Sequence, residues 1–591
     1  MKFAELSNIN HAWGHLIVEE LRRNGVEYFC ISPGSRSSPL TVAAAENKGV
    51  EAFIHFDERG AAFHALGYVS AKKKPCALIC TSGTAVANYF PAIIEASKKK
   101  LPLIVLTADR PPEIRLTGAD QTIDQVKIFG EHVRYFMDVP CPSADIKPEF
   151  VLTTIDQAVY RAKFPMAGPV HLNCMFREPL APIKSGANLK AYTANLKDWE
   201  KDTAPFTHYT HAPNELSSVQ ALEIRKILTS SKTGIIVVGK LAGSEEQKNV
   251  LTLAQKLQWP IFPDVTSGLR LGTQDANVVP YFDQLLLAET DAVDTILHLG
   301  GRITSRRWYQ FVERTRPQNY IMVLNHPLRN DPLHNVTLRL EASVSDFCQK
   351  IADGIPDRIN NSAKLSALTK ELDAAIEAEL GKYSEITEMG IARTVSQHIP
   401  IEHGLFLANS MPIRDMDMYA DFKGETVTVG ANRGASGIDG LIATACGFSK
   451  GLNRPVTLVI GDIAVLHDLN SLSMVKNSEQ PITIVSVNNN GSAIFSFLPI
   501  AGFKDIFENY FGTPHGLTFE SAAKMFSLNY KNPKTPKEFA EIYRKSVQSK
   551  QPTFIEIKTD RNRNYAAHKE LQKKLKSIIA KNLNSTRKSE R

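Results

Sequence analysis

Short apolar, β-branched runs recur along this chain, and each stops at small or polar residues. Tyr28-Phe29-Cys30-Ile31 ends in Ser32-Pro33-Gly34-Ser35-Arg36-Ser37. The run 77–80 ends in Thr81-Ser82-Gly83-Thr84, and the run 103–107 ends in Ala108-Asp109-Arg110-Pro111. Between them lie stretches of helical period, such as 11–24, and 169–173 closes the unit. Continuous rather than alternating apolar runs suit strands buried on both faces. The alternation of strands with helices predicts the α/β class, with parallel sheets flanked by helices.

The rhythm restarts twice. Runs at 234–239, 295–299 and 320–324 predict a second α/β unit. Runs at 404–408, 426–429, 456–460, 482–487 and 553–557 predict a third. The expected division is 1–182, a polar linker 183–217, a central α/β domain 218–352, a second break 353–363, and a final domain 364–591 with a basic tail. The first and third units read as distant copies. The Val237-Val238-Gly239 strand end is not followed by G-x-G-x-x-G, so dinucleotide binding is not expected there.

Composition narrows the class. Hydrophobic content of 43% with 22% charged residues is that of an ordinary globular protein. The net charge of +7 is local, because residues 561–591 carry a net +8 and the other 560 residues a net −1. A solvated terminal helix with a frayed end explains this tail, and no nucleic-acid partner is expected. The seven cysteines form no C-x-x-C pair. A reducing compartment, the cytoplasm, is therefore expected. No apolar stretch reaches the roughly 18 residues of a membrane span.

Two segments carry chemistry. Gly461-Asp462-Ile463-Ala464 and Asn488-Asn489-Asn490-Gly491 each follow a buried-strand run. Strand ends of a parallel sheet are where ligands sit. A carboxylate, an amide oxygen and a backbone carbonyl suit Mg²⁺, which also binds phosphate. The second segment, His55-Phe56-Asp57-Glu58-Arg59-Gly60, opens an Ala/Gly-rich helix. Its small residues permit close packing against another subunit or a ring, and a carboxylate at a helix start is also a natural cap.

Together these residues resemble the thiamine-diphosphate enzymes of the acetohydroxyacid synthase and pyruvate decarboxylase superfamily. The resemblance implies an N-terminal domain that binds the cofactor's pyrimidine and a C-terminal domain that binds its diphosphate. It implies Glu58 as the catalytic residue, hydrogen-bonded to the pyrimidine N1′. The implied metal ligands are Asp462, Asn489 and the Gly491 carbonyl, holding Mg²⁺, with Mn²⁺ able to substitute. Further implied cofactor contacts are Ser410, Met411, Gly437, Ile438, Gly461, Ile463, Ala464 and Ile494, with Ile438 propping the bent cofactor.

Seven ordered motifs, among them Gly118-Ala119-Asp120-Gln121, Asn409-Ser410-Met411-Pro412-Ile413-Arg414 and Asn432-Arg433-Gly434-Ala435-Ser436, are similar to one branch of that family. This branch decarboxylates 2-oxoglutarate and adds the succinyl unit to isochorismate in a 1,4 sense, in menaquinone biosynthesis. Both substrates are dicarboxylates, which arginine binds in a bidentate manner. By this resemblance Arg36 and Arg110 face isochorismate, and Arg414 and Arg433 face 2-oxoglutarate or its adduct. Arg306 and Arg307 are a basic pair from the central domain. Ser35, Gln121 and Ser410 give neutral hydrogen bonds, and Ile494, Phe495 and Leu498 form an apolar wall. Asp120 puts a carboxylate near these anions. A homodimer, or a homotetramer, is implied as the assembly.

Overall fold

A computed structural model describes residues 3–186, 188–212, 214–289, 293–356 and 363–589. Most of the expected break at 353–363 therefore lies outside the described residues. The chain forms two compact units. The first comprises Met1–Ala212, Asn432–Asn453 and His467–Gln480; the second comprises Pro213–Ala431, Arg454–Leu466 and Pro481–Arg591.

The first unit holds a six-stranded parallel sheet of β1 (Tyr28–Ile31), β2 (Glu51–Ile54), β3 (Cys76–Cys80), β4 (Leu103–Asp109), β5 (Phe136–Val139) and β6 (Val170–Met175), in the order β2-β1-β3-β4-β6-β5. Every residue of β1, β3, β4 and β6 is buried, as the continuous apolar runs require. Edge strand β2 is mostly exposed.

The second unit holds two parallel sheets. One contains β7 (Gly234–Val238), β8 (Ile261–Pro263), β9 (Thr295–Leu299), β10 (Asn319–Leu324) and β11 (Leu338–Glu341), in the order β11-β10-β9-β7-β8. The other contains β12 (Gly404–Leu407), β13 (Thr428–Ala431), β14 (Val456–Gly461), β15 (Ile482–Asn488), β16 (Asn529–Lys531) and β17 (Thr553–Lys558). Its order, β13-β12-β14-β15-β17-β16, repeats that of the first sheet strand for strand. The α/β class is as expected. The expected strand at 426–429 is displaced to β13, and β16 escaped notice because it is a polar edge strand.

Two packing results differ from the sequence reading. The small-residue helix Glu58–Lys72 packs against helix Leu441–Leu452 of the same chain, rather than another subunit or a ring. The approach is so close that a Cβ on Gly447 would lie 1.8 Å from the His64 carbonyl oxygen. The C-terminal helix Arg561–Ser589 is not simply solvated. Ala567, Leu571, Leu575 and Ile579 recur at helical spacing and are buried in the core of the second unit.

Candidate active site

In the first sheet the strand order reverses between β1 and β3, so the loops after these two strands part and leave a crevice at their carboxyl ends. A cavity of about 420 Å³ lies there. Ser35 follows β1, Thr81 to Thr84 follow β3, and Gln121 and Glu58 complete the lining. Three expected site residues thus share one cavity. Glu58 is the first residue of its helix, but it does not cap it. The Asp57 side chain accepts the Gly60 amide at 3.3 Å and performs that task.

Arg36 is buried and donates to the Phe176 carbonyl at 2.9 Å, with Glu178 at 3.5 Å. Burial, and after it the neighbouring Arg110 charge, pushes its pKa down. Two guanidinium groups held together in this way favour an anionic ligand. Arg110 donates to the Asp120 carbonyl oxygen at 2.9 Å, while the Asp120 side chain is exposed. The residue that threatened to repel anions therefore meets Arg110 through its backbone.

Still in the first unit, two buried carboxylates clamp the segment from Arg433 to Gly440. Glu95 accepts the amides of Gly434 at 2.8 Å, Ala435 at 2.6 Å and Ser436 at 3.3 Å. Asp468 accepts those of Ile442 at 2.8 Å and Ala443 at 3.0 Å, at the start of the helix Leu441–Leu452. Arg59 in turn donates to the His467 carbonyl at 3.0 Å and lies 3.9 Å from Asp468. Between the clamps Ile438 is 37% exposed, and Gly437 lines a cavity of about 150 Å³ with Glu95 and Asp439. An apolar side chain held outward on a fixed backbone suits a propping role. Arg433, half-buried, opens the segment.

In the second unit the equivalent reversal lies between β12 and β14. Ser410 follows β12 with φ 72° and ψ −132°, a conformation that costs a non-glycine residue roughly 1–3 kcal/mol. It precedes buried Met411, and its carbonyl accepts from the Arg414 guanidinium. Asp462 follows Gly461 at the end of β14. Its carboxylate accepts the amides of Ile463 at 2.7 Å and Gly491 at 2.9 Å, and contacts His515 Nε2 at 3.1 Å. Ala464, next on this helical turn, is buried.

Asn489 follows β15. Its Nδ2 donates to Glu388 at 2.9 Å, and its Oδ1 is buried with no hydrogen-bond donor among the described residues. Burial raises the Glu388 carboxyl, and the bonds donated by Asn489 and Thr559 pull it back. Gly491 has φ +133°, and a Cβ there would lie 2.0 Å from the Gly512 carbonyl oxygen. Only glycine fits. A carboxylate beside an orphaned amide oxygen is a donor set for a hard cation.

Ile494 and Phe495 lie half-buried on the 3₁₀ turn Ala493–Phe497, and Leu498 follows it. The Phe495 ring meets Phe511 edge-on at 5.7 Å. Arg307 pairs with the buried Asp283, whereas Arg306 is exposed. Glu388, His515 and Glu95 were not foreseen. Thr387-Glu388 carries only a helix-start signal, and Glu95 sits inside an ordinary amphipathic helix, Phe90–Lys99.

Three family models match the chain. They are "Thiamine pyrophosphate enzyme, N-terminal TPP binding domain" over residues 12–128, "Middle domain of thiamine pyrophosphate" over 190–407, and "Thiamine pyrophosphate enzyme, C-terminal TPP binding domain" over 418–557. Curated relatives match along nearly their whole length. A 2-succinyl-5-enolpyruvyl-6-hydroxy-3-cyclohexene-1-carboxylate synthase of Rubrobacter xylanophilus is 46% identical, covering 95% of this chain and 98% of the relative. Proteins of the same name from Chlorobium phaeobacteroides and Salinibacter ruber are 43% and 41% identical. They cover 97% of this chain in both cases, and 99% and 98% of the relatives.

Proposed function

Because this chain belongs to the 2-succinyl-5-enolpyruvyl-6-hydroxy-3-cyclohexene-1-carboxylate synthase family of thiamine pyrophosphate enzymes, we propose that it performs that synthesis. It takes 2-oxoglutarate and isochorismate, releases CO₂, and serves menaquinone biosynthesis. The observation that carries the cofactor reading is the orphaned Oδ1 of Asn489 near Asp462, at two adjacent strand ends.

When bound, thiamine diphosphate supplies the electron sink for loss of CO₂. Asp462, Asn489 and the Gly491 carbonyl would hold Mg²⁺, or Mn²⁺ in its place, and the ion would supply positive charge to the diphosphate. Ser410, Met411, Gly461, Ile463, Ala464 and Ile494 line that end. Ile438, steadied by Gly437 and the two clamping carboxylates, props the cofactor. Glu58 keeps a hydrogen bond to the pyrimidine N1′ and so sets its protonation. Arg36 and Arg110, with Ser35 and Gln121, orient the carboxylates of isochorismate. Arg414 and Arg433 orient 2-oxoglutarate, and Arg306 adds positive charge beside Arg307, which is held by its ion pair with Asp283. Ile494, Phe495 and Leu498 exclude water.

The working assembly is a homodimer or homotetramer. Support comes from Ile54 and Phe56, which are 56% and 64% exposed within four residues of Glu58. Among the described residues no helix is long and apolar enough to cross a membrane. We place the enzyme in the cytoplasm, a location that seven unpaired cysteines suit.

The test is a direct assay. Isochorismate should disappear only when 2-oxoglutarate, thiamine diphosphate and Mg²⁺ are all present. Glu58→Gln should lose roughly 10²–10⁴ in rate while still binding the cofactor. Turnover of pyruvate without isochorismate would refute the assignment.

A further inference from the structure

His11 and His15 lie one turn apart on the helix Ile9–Arg23, and Glu46 ends the helix Ser38–Glu46. The three side chains converge. His15 Nε2 is 2.9 Å from His11 Nε2 and 2.9 Å from Glu46 Oε2, and His11 Nε2 is 3.2 Å from the same oxygen. The His11 and His15 side chains are 8% and 2% exposed, while the Glu46 side chain is 47% exposed. None of these residues belongs to the cofactor or substrate set.

Proton counting shows that the triangle is not closed by hydrogen bonds. The Ser7 amide faces His11 Nδ1 at 3.3 Å, so Nδ1 is an acceptor and Nε2 carries the ring proton. If His15 Nε2 accepts that proton, it turns a lone pair on Glu46 at 2.9 Å. If it donates to Glu46, both N–H groups point at Oε2, and the two ring nitrogens stand 2.9 Å apart with no proton between them. In each arrangement one edge of the triangle, at 2.9 Å, has no hydrogen bond across it. A cation at the centre removes the conflict, because all three atoms then offer lone pairs to it.

We infer that His11, His15 and Glu46 bind one borderline-soft divalent cation of the zinc class, separate from the cofactor's metal. Tetrahedral zinc with bonds of about 2.0–2.1 Å needs ligand edges near 3.3 Å, an expansion of a few tenths of an ångström. The exposed side of Glu46 provides entry and leaves the fourth position to water. Ligation through His11 Nε2 moves that ring's proton to Nδ1 and opens the Ser7 contact. Mg²⁺ prefers oxygen ligands and does not compete. The ion ties the first helix to the helix that follows the Ser32 to Ser37 loop, which carries Ser35 and Arg36.

The experiment uses the full chain loaded with thiamine diphosphate and Mg²⁺, stripped of other metals and dialysed against Zn²⁺ or Co²⁺. One Zn²⁺ per chain beyond the wash level is expected, with visible d–d absorption from Co²⁺ and a Zn²⁺-dependent rise in melting temperature. Glu46→Gln, a half-exposed change that spares the core, should weaken Zn²⁺ at least as much as the roughly tenfold lost with an outer-shell partner. The double variant H11Q/H15Q should lose it entirely. Zn²⁺ binding that is the same in wild type and Glu46→Gln, or that persists in an H11Q/H15Q protein still loading thiamine diphosphate, overturns the assignment.

Discussion

The amide of Asn489 is oriented by Glu388: Nδ2 donates to the carboxylate at 2.9 Å, and Oδ1 is left buried and free of donors among the described residues. The Glu388 oxygen that accepts from Asn489 also accepts from the Thr559 hydroxyl at 3.0 Å, so this acceptor selects the amide nitrogen and turns the oxygen toward the proposed cation. Glu388→Ala should let the amide rotate. Affinity for Mg²⁺-dependent thiamine diphosphate should fall by roughly 10–100-fold, as for other outer-shell losses. Calorimetric titration of the cofactor at fixed Mg²⁺ measures this, and unchanged affinity would show that the amide is oriented without Glu388.

Glu95 satisfies three backbone amides at once. Glu95→Ala leaves those donors in a half-buried segment, at about 1–3 kcal/mol for each that stays dry. Faster hydrogen exchange at 434–436 and weaker cofactor binding are expected. Intact protection there would mean that the loop is held by other contacts.

Gly447→Ala forces a methyl group against the His64 carbonyl oxygen, and two helix backbones must part. Overpacking of this kind costs about 1–3 kcal/mol. The melting temperature should drop, while Gly186→Ala, where a Cβ meets nothing within 4 Å, should serve as a near-neutral control.

Acid should destabilise the protein through buried imidazoles. Burial lowers His64, His171 and His568 to about 3 and His298 to about 4. Unfolded histidine titrates near 6.5, so below that pH the unfolded chain binds more protons than the folded one. Stability is therefore full above about pH 6.5 and is lost as pH falls toward the folded values. Each group contributes up to about 1.4 kcal/mol per pH unit. Melting temperatures from pH 7 to 4.5 should show this slope, and His64→Phe, beside the stacked Phe53, should flatten it.

Removing residues 570–591 strips Leu571, Leu575 and Ile579 from the core of the second unit. Full burial of each such side chain is worth about 1.5–3 kcal/mol. The truncated protein should melt well below the full chain. An unchanged melting temperature would show that this helix is dispensable for stability.

The strand runs determined much by themselves. Parallel strands buried on both faces must be apolar throughout, so β1, β4, β14 and β15 stand out in the linear pattern. The strand-end residues Asp462 and Asn489 could be named from that pattern, because such sheets place ligands at their carboxyl ends, whereas Ser35 and the role of Glu58 came only from the family resemblance. Other features depended on contacts remote in sequence. Glu95 meets Ala435 across some 340 residues, and Glu388 meets Asn489 across about a hundred. A buried carboxylate reads like any other acidic residue until its donors are known. The same holds for the close packing of Gly447 on His64 and for the docked face of the C-terminal helix. Local pattern sets which backbone each segment can adopt, and only the folded chain decides which polar atoms are satisfied and which are left for a ligand.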